Sequence, residues 1–199
     1  RVFDAWPEDP TAHATLRDYL EVRYAGQKET DFYEAEHQQR LARAKQRLDG
    51  ASVPELMAAW PEPGFMRSAI GRGWPGPAGE SDLAQVERRI GAPLPPDLRL
   101  ALRTHDGFPP LDLVPAVELD TLARQANRLD EKAQAQFARC VVVAAMHLDS
   151  RNPRTTIPRL LWCPGLQASA WVDPGSGQRY ASFQQWLFER ASERAAIPG

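Results

Sequence analysis

The sequence predicts an α+β protein: a small, mostly antiparallel sheet with flanking helices, preceded by an α-helical N-terminal extension. Three observations carry this expectation. Helical spacing of apolar residues fills much of residues 11–48. A Gly/Pro-rich stretch follows over residues 61–79. Beyond it, two sharply punctuated helices give way to short β-rich segments and a closing helix. At 199 residues the chain divides into a helical extension over 1–77 and an α+β domain over 78–199.

Composition narrows the function classes. The chain is 43% hydrophobic, enough for a core, and 25% charged, which is ordinary. Its net charge of −2 gives no overall basic footprint for nucleic acid. No run approaches the roughly 20 apolar residues of a membrane helix, and no hydrophobic signal core is visible. Two cysteines do not make a disulfide framework, so a cytosolic chain is expected. The first residue is Arg rather than Met, which implies a trimmed start or a removed leader.

In order, a first helix is predicted from about Thr11 to Tyr24, with Leu16, Tyr19, Leu20 and Tyr24 in register. A second runs from about Thr30 to Leu48. Its acidic first half and basic second half match the helix macrodipole and allow a Glu36–Arg40 pair. Tyr33, His37, Leu41, Ala44 and Leu48 form its apolar seam, which needs docking on the α+β part or a second copy to be covered. Docking is favoured because Trp60 and Trp74 flank the connection. Its charge runs read as a solvated face, with partner binding as the alternative. Ser52 and Glu55 form a capping-box pattern that opens a short helix to about Trp60. Gly71-Arg72-Gly73 is no phosphate loop, since no strand precedes it and no Gly-Lys-Ser/Thr follows.

The segment Ser81–Phe108 reads as helix, break, helix, stop. Ser81 is the expected N-cap, and Leu83, Val86 and Ile90 share a face. Gly91 suits a left-handed residue just past the helix end. Leu94-Pro95-Pro96 forces extended backbone, and Pro96 opens a second helix with Leu98, Ala101 and Leu102 inside. Asp106-Gly107 stops it. Leu111–Val117 is expected as a proline-interrupted edge strand, and Asp120–Arg139 as a helix. Cys140–Leu148 is the clearest strand, apolar on both faces and therefore central. Ile157–Cys163 and Gln167–Asp173 are two more strands. A Pro-Gly-Ser-Gly turn leads to a short strand over Gln178–Tyr180. Ser182 caps a final helix with Phe183, Trp186, Leu187 and Ala191 on one face.

Catalytic patterns are sparse. His13, His37, His105 and His147 lack metal-ligand spacing, and no Cys-x-x-Cys occurs. Cys140 and Cys163 read as free, small core residues on strands. A Cys163–His147 nucleophile pair is the minor alternative if their strands are neighbours. No Gly-x-Ser-x-Gly elbow is present.

The ordered motifs resemble a known family. Ile90-Gly91, Leu94-Pro95 and Asp106-Gly107 within SDLAQVERRIGAPLPPDLRLALRTHDGF resemble the opening signature of the SUKH superfamily. These are bacterial immunity proteins related to the fungal Smi/Knr cell-wall regulators. LDLVPAVEL resembles the family's next strand, and WVDPGSGQRYASFQQWL its end. The resemblance spans about residues 78–195. It implies a cytosolic immunity protein that binds and neutralises a cognate protein toxin, with no catalytic residue, no cofactor, no metal, and neither nucleic acid nor membrane as partner. The matched glycines and prolines are structural, so no contact residue carries over. On physical grounds, acidic residues at loop ends are the candidate partner-binding set: Asp106, Glu118, Asp120, Asp149 and Asp173. Each also reads as an ordinary turn or cap residue. Two alternatives remain open: a regulatory or scaffold protein with a SUKH-type domain, and a small hydrolase.

Overall fold

The structure, a computed structural model, describes residues 30–60, 74–124, 129, 131–147, 156–165 and 170–197. The expected first helix, the Gly71-Arg72-Gly73 stretch, and Asp149 lie outside these residues.

Local chemistry sets the helices. Helix α1 covers residues 30–48. Its Glu36–Arg40 pair closes at 2.5 Å, and Lys45 reaches Glu189 at 2.6 Å. The apolar seam is only half covered. Ala44 is buried and Leu48 packs on the core, whereas Tyr33 is 60% exposed and Phe32 65%. Helix α2, Val53–Met57, has the predicted capping box: the Glu55 carboxylate accepts from the Ser52 N–H at 2.7 Å. The Ser52 hydroxyl bond holds that carboxylate below its ordinary value.

Helix α3, Glu80–Ile90, is capped by Gly79, so Ser81 lies inside the first turn rather than ahead of it. Its end is as expected: Gly91 is left-handed (φ 77°), with its N–H bonded to the Glu87 carbonyl. Helix α4, Pro96–Thr104, starts on proline and buries Leu98, Ala101 and Leu102 completely. Arg99 locks the two helices together, pairing with Glu80 and, at 2.7 Å, with Glu87. The other lone pairs of the same Glu87 Oε1 take the Leu94 N–H at 3.0 Å, which fixes the intervening break. The Glu80 and Glu87 contacts raise the Arg99 pKa.

The stretch after Phe108 departs from expectation. The expected strand over Leu111–Val117 is instead a run of 3-10 turns, Pro109–Leu111, Ala116–Glu118 and Leu122–Arg124, tied down by isolated bridges. Three prolines are the physical reason: Pro109, Pro110 and Pro115 have no N–H to donate to a ladder. Of the expected long helix over Asp120–Arg139, the described part is one 3-10 turn and helix α5, Glu131–Phe137.

The sheet has four antiparallel strands in sequence order: β1 Val141–His147, β2 Thr156–Trp162, β3 Trp171–Val172 and β4 Arg179–Tyr180. β1 is therefore first in the sheet, not central. It is buried because the turn-rich segment lies along its outer edge. Val114 donates to the Val143 carbonyl at 3.0 Å, Val142 to Asp120 at 3.0 Å, and Leu122 to Cys140 at 2.8 Å. That cover explains a strand apolar on both faces at a sheet margin.

Cys140 and Cys163 are not free. They form a disulfide, with Cα atoms 4.1 Å apart. They stand opposite each other one step beyond the Val141–Trp162 pair. Neither bonds the other through its backbone: Cys140 donates to Phe137 and Cys163 to Ala170. Non-hydrogen-bonded antiparallel pairs bring Cα atoms closest, which is the geometry a cross-strand bond needs.

Helix α6, Phe183–Ala196, closes the fold. The Ser182 hydroxyl accepts the Gln185 N–H at 3.0 Å, and Phe183, Trp186, Leu187 and Ala191 are buried as expected. α2 packs on α6 and α4, so Val53, Leu56 and Met57 share one core with the sheet. Trp60 and Trp74 both meet the Phe108 ring, at 5.9 and 5.1 Å. Among the described residues no helix is long and apolar enough to cross a membrane.

Candidate functional site

Helix α6 presents Trp186, Arg190, Glu193, Arg194 and Ile197 at spacings of four, three, one and three. That puts them on one face. This face forms one wall of a cleft of about 510 Å³. The far wall comes from the β1–β2 hairpin (Met146, Ile157, Arg159), with the 110–112 turn and the 173–176 turn at the ends. Trp60 completes it. The size lies within the roughly 300–1,000 Å³ typical of binding clefts.

Most of the charges in the cleft are held by the fold. Asp112 ends the Pro109–Leu111 turn in a left-handed conformation (φ 52°), a region that aspartate enters more readily than most residues. Its carbonyl accepts the Ala145 N–H at 2.9 Å, and its carboxylate lies 3.3 Å from Arg159 Nε. Arg159 also donates to the Met146 sulfur at 3.1 Å. Asp173 Oδ1 accepts the Gly175 and Ser176 N–H groups at 2.8 and 3.2 Å, the geometry that shapes the turn. Its other oxygen lies 3.8 Å from Arg190 Nη2.

Arg190 is the centre of this arrangement. Nη1 donates to Glu193 at 2.9 Å, and Nη2 faces the Tyr180 hydroxyl at 3.5 Å. Burial acts to lower its pKa, but Glu193 and Tyr180 outweigh it and raise the value. Burial pushes the Tyr180 phenol up. Arg159, Arg190 and Arg194 thus stand against Asp112, Asp173 and Glu193, three charges of each sign. The cleft is neutral in sum, polar in detail and lined with tryptophan and methionine.

The predicted acidic residues do not gather at this cleft. Asp173 lines it. Asp106 accepts the Ala116 N–H at 2.6 Å, away from the cleft. Asp120 accepts the Thr121 N–H at 2.7 Å and pairs with Arg124 at 3.5 Å. Glu118 is exposed on its 3-10 turn. Asp149 lies outside the described residues. Local hydrogen bonds therefore account for the placement of three of these carboxylates. The cleft residues Trp60, Asp112, Arg159 and Arg190 were missed. The one sequence signal for any of them was the polar face of α6, where Arg190 and Glu193 follow Trp186 at helical spacing.

The catalytic candidates resolve differently. Cys163 is in the disulfide, so its sulfur is not a thiolate nucleophile and the Cys163–His147 pair is excluded. His105 stacks on Phe108 at 5.4 Å with Nδ1 2.9 Å from the Pro75 carbonyl, a packing role. Among the described residues no group of three His, Cys, Asp or Glu side chains is placed to hold a metal.

The fold and site thus define an α+β protein with a mixed-charge, aromatic-lined cleft at one end of a four-stranded sheet. No family model, curated protein or solved structure matches the chain.

Proposed function

We propose that the chain is a SUKH-type immunity protein, one that binds a cognate protein toxin and neutralises it by occupation rather than by chemistry. The observation that carries this reading is the composition of the cleft. Arginine, tryptophan and methionine are among the residues enriched at protein interfaces, and here they line one concave surface, with Arg159 and Arg190 already paired to carboxylates. Such pairing keeps the unbound surface stable, while a partner can exchange its own charged groups into the network. The motif order from Ile90-Gly91 to the Ser182-capped helix supports the family assignment, as does the small antiparallel sheet closed by a helix.

The reading includes a cytosolic location in the toxin-producing cell. The Cys140–Cys163 bond weighs against that location, because disulfides persist in oxidising compartments and are rare in reducing ones. Acid-quenched thiol labelling of the protein in its own cells decides the point.

The test is co-expression with the product of the adjacent gene. Protection from a toxic neighbour and a complex by size-exclusion chromatography are expected. A toxic neighbour with neither protection nor complex overturns the reading. So does turnover of a generic ester or nucleotide by the purified chain.

A further inference from the structure

Ile197, at the end of α6, is 55% exposed and belongs to two concave surfaces at once. One is the cleft. The other is a groove of about 330 Å³ walled by Arg40, Arg43 and Arg47 of α1 and floored by Ala44 and Ala196. The three arginines stand at i, i+3 and i+7, on one face of the helix.

Their charges are unequally compensated. Arg40 is held by Glu36 at 2.5 Å. Lys45 is held by Glu189, which also pins α1 to α6. Arg43 and Arg47 are exposed and, among the described residues, have no carboxylate within ion-pair distance. Like charges one turn apart are unfavourable in a free helix. Here two such charges face a concave, apolar-floored surface, in a chain whose net charge is −2. Arginine is also among the residues enriched in binding hot spots.

We propose that this groove receives a carboxylate-bearing amphipathic segment of the protein partner. Its carboxylates meet Arg43 and Arg47, and one apolar side chain packs on Ile197 at the mouth of the cleft. The partner's identity as a toxin rests on the function proposed above; the groove's preference for acidic protein does not. A nucleic acid fits less well. A phosphate backbone needs a longer basic track, and the preceding part of α1 carries the acidic residues Asp31, Glu34 and Glu36 instead.

The test uses a fluorescein-labelled amphipathic peptide of glutamate and leucine, followed by anisotropy at about 50 mM and about 300 mM NaCl. Binding at low salt is expected. It should weaken about 10-fold or more in the Arg43→Glu/Arg47→Glu variant and in high salt, and stay unchanged in Arg88→Glu, an exposed position on α3. Both groove positions are exposed, so melting temperatures should match the parent; Ile197→Asp gives a second, independent loss. No peptide binding, or equal binding by the double variant, overturns the proposal. Equally tight binding of a single-stranded oligonucleotide, lost through the same substitutions, overturns the protein partner in favour of a general polyanion site. The same variants are then run against the adjacent gene product. A parent complex that the double variant reproduces with unchanged affinity overturns the groove and leaves toxin binding standing. Peptide binding without any complex supports the groove and overturns the toxin.

Discussion

Reducing the Cys140–Cys163 disulfide should cost this fold a measurable share of its stability. The bond closes a loop with a sequence separation of 23, joining the start of β1 to the end of β2. Loop-closure entropy for that length corresponds to about 3 kcal/mol at 25 °C in the chain-entropy model. For a domain of this size each kcal/mol moves the melting temperature by about 2–4 °C. Full reduction should therefore lower it by about 6–12 °C. Reduction is a cleaner perturbation than mutation, because both sulfurs stay in the core, where they are almost fully buried. The assay is a pair of calorimetric melts, oxidised and fully reduced, with the thiol state of each sample fixed by mass. Two results refute the reasoning. One is a reduced protein melting within about 1 °C of the oxidised one, which would mean the β-hairpin ladder already restrains the loop in the unfolded chain. The other is a pair of free thiols in denatured protein that has never met a reductant.

Other outcomes follow from the same structure. Arg159→Ala should leave the melting temperature nearly unchanged, since its pair with Asp112 is half-exposed, yet weaken binding of the proposed protein partner by about 1–3 kcal/mol in calorimetric titration. Gly107→Ala should destabilise by about 1–3 kcal/mol in urea unfolding. Its φ is 83°, and a Cβ there would stand 3.0 Å from the Pro115 ring. Glu87→Ala should cost about 1–2 kcal/mol, more than Glu80→Ala, because Glu87 supports both Arg99 and the Leu94 N–H. Tyr180 should ionise above the ordinary tyrosine range in an ultraviolet pH titration, because burial disfavours its phenolate. Its folded pKa is raised, so its contribution is present below about pH 10 and is lost as pH rises through the folded value.

What was legible in the sequence was what neighbours in the chain decide. Ser52 with Glu55, Gly91, Pro96 and Ser182 set helix ends through contacts within a few residues, and all four act as read. Ser81 reads as the cap because both it and Gly79 can start a helix, whereas the Asp82 and Leu83 N–H groups donate to the Gly79 carbonyl, which puts the helix start there. Errors cluster where distant segments decide. A strand apolar on both faces reads as central, but an irregular cover does for β1 what a neighbouring strand would. The two cysteines paired because of hairpin register, which spacing alone does not reveal. The cleft draws on six separated stretches, from Trp60 to Ile197, so of the acidic residues proposed for partner binding it holds only Asp173.

The cover over β1 has one more consequence. Its outer backbone groups are taken up by the chain itself, and at the far end β4 is only two residues long. The described sheet thus offers no long open edge on which another protein could add a strand. A protein partner of the kind proposed would then be met at the described sheet through side chains rather than through a shared backbone ladder. A surface of that kind can change its specificity one substitution at a time while the scaffold beneath stays the same, which is what a lineage of paired, diverging partners requires.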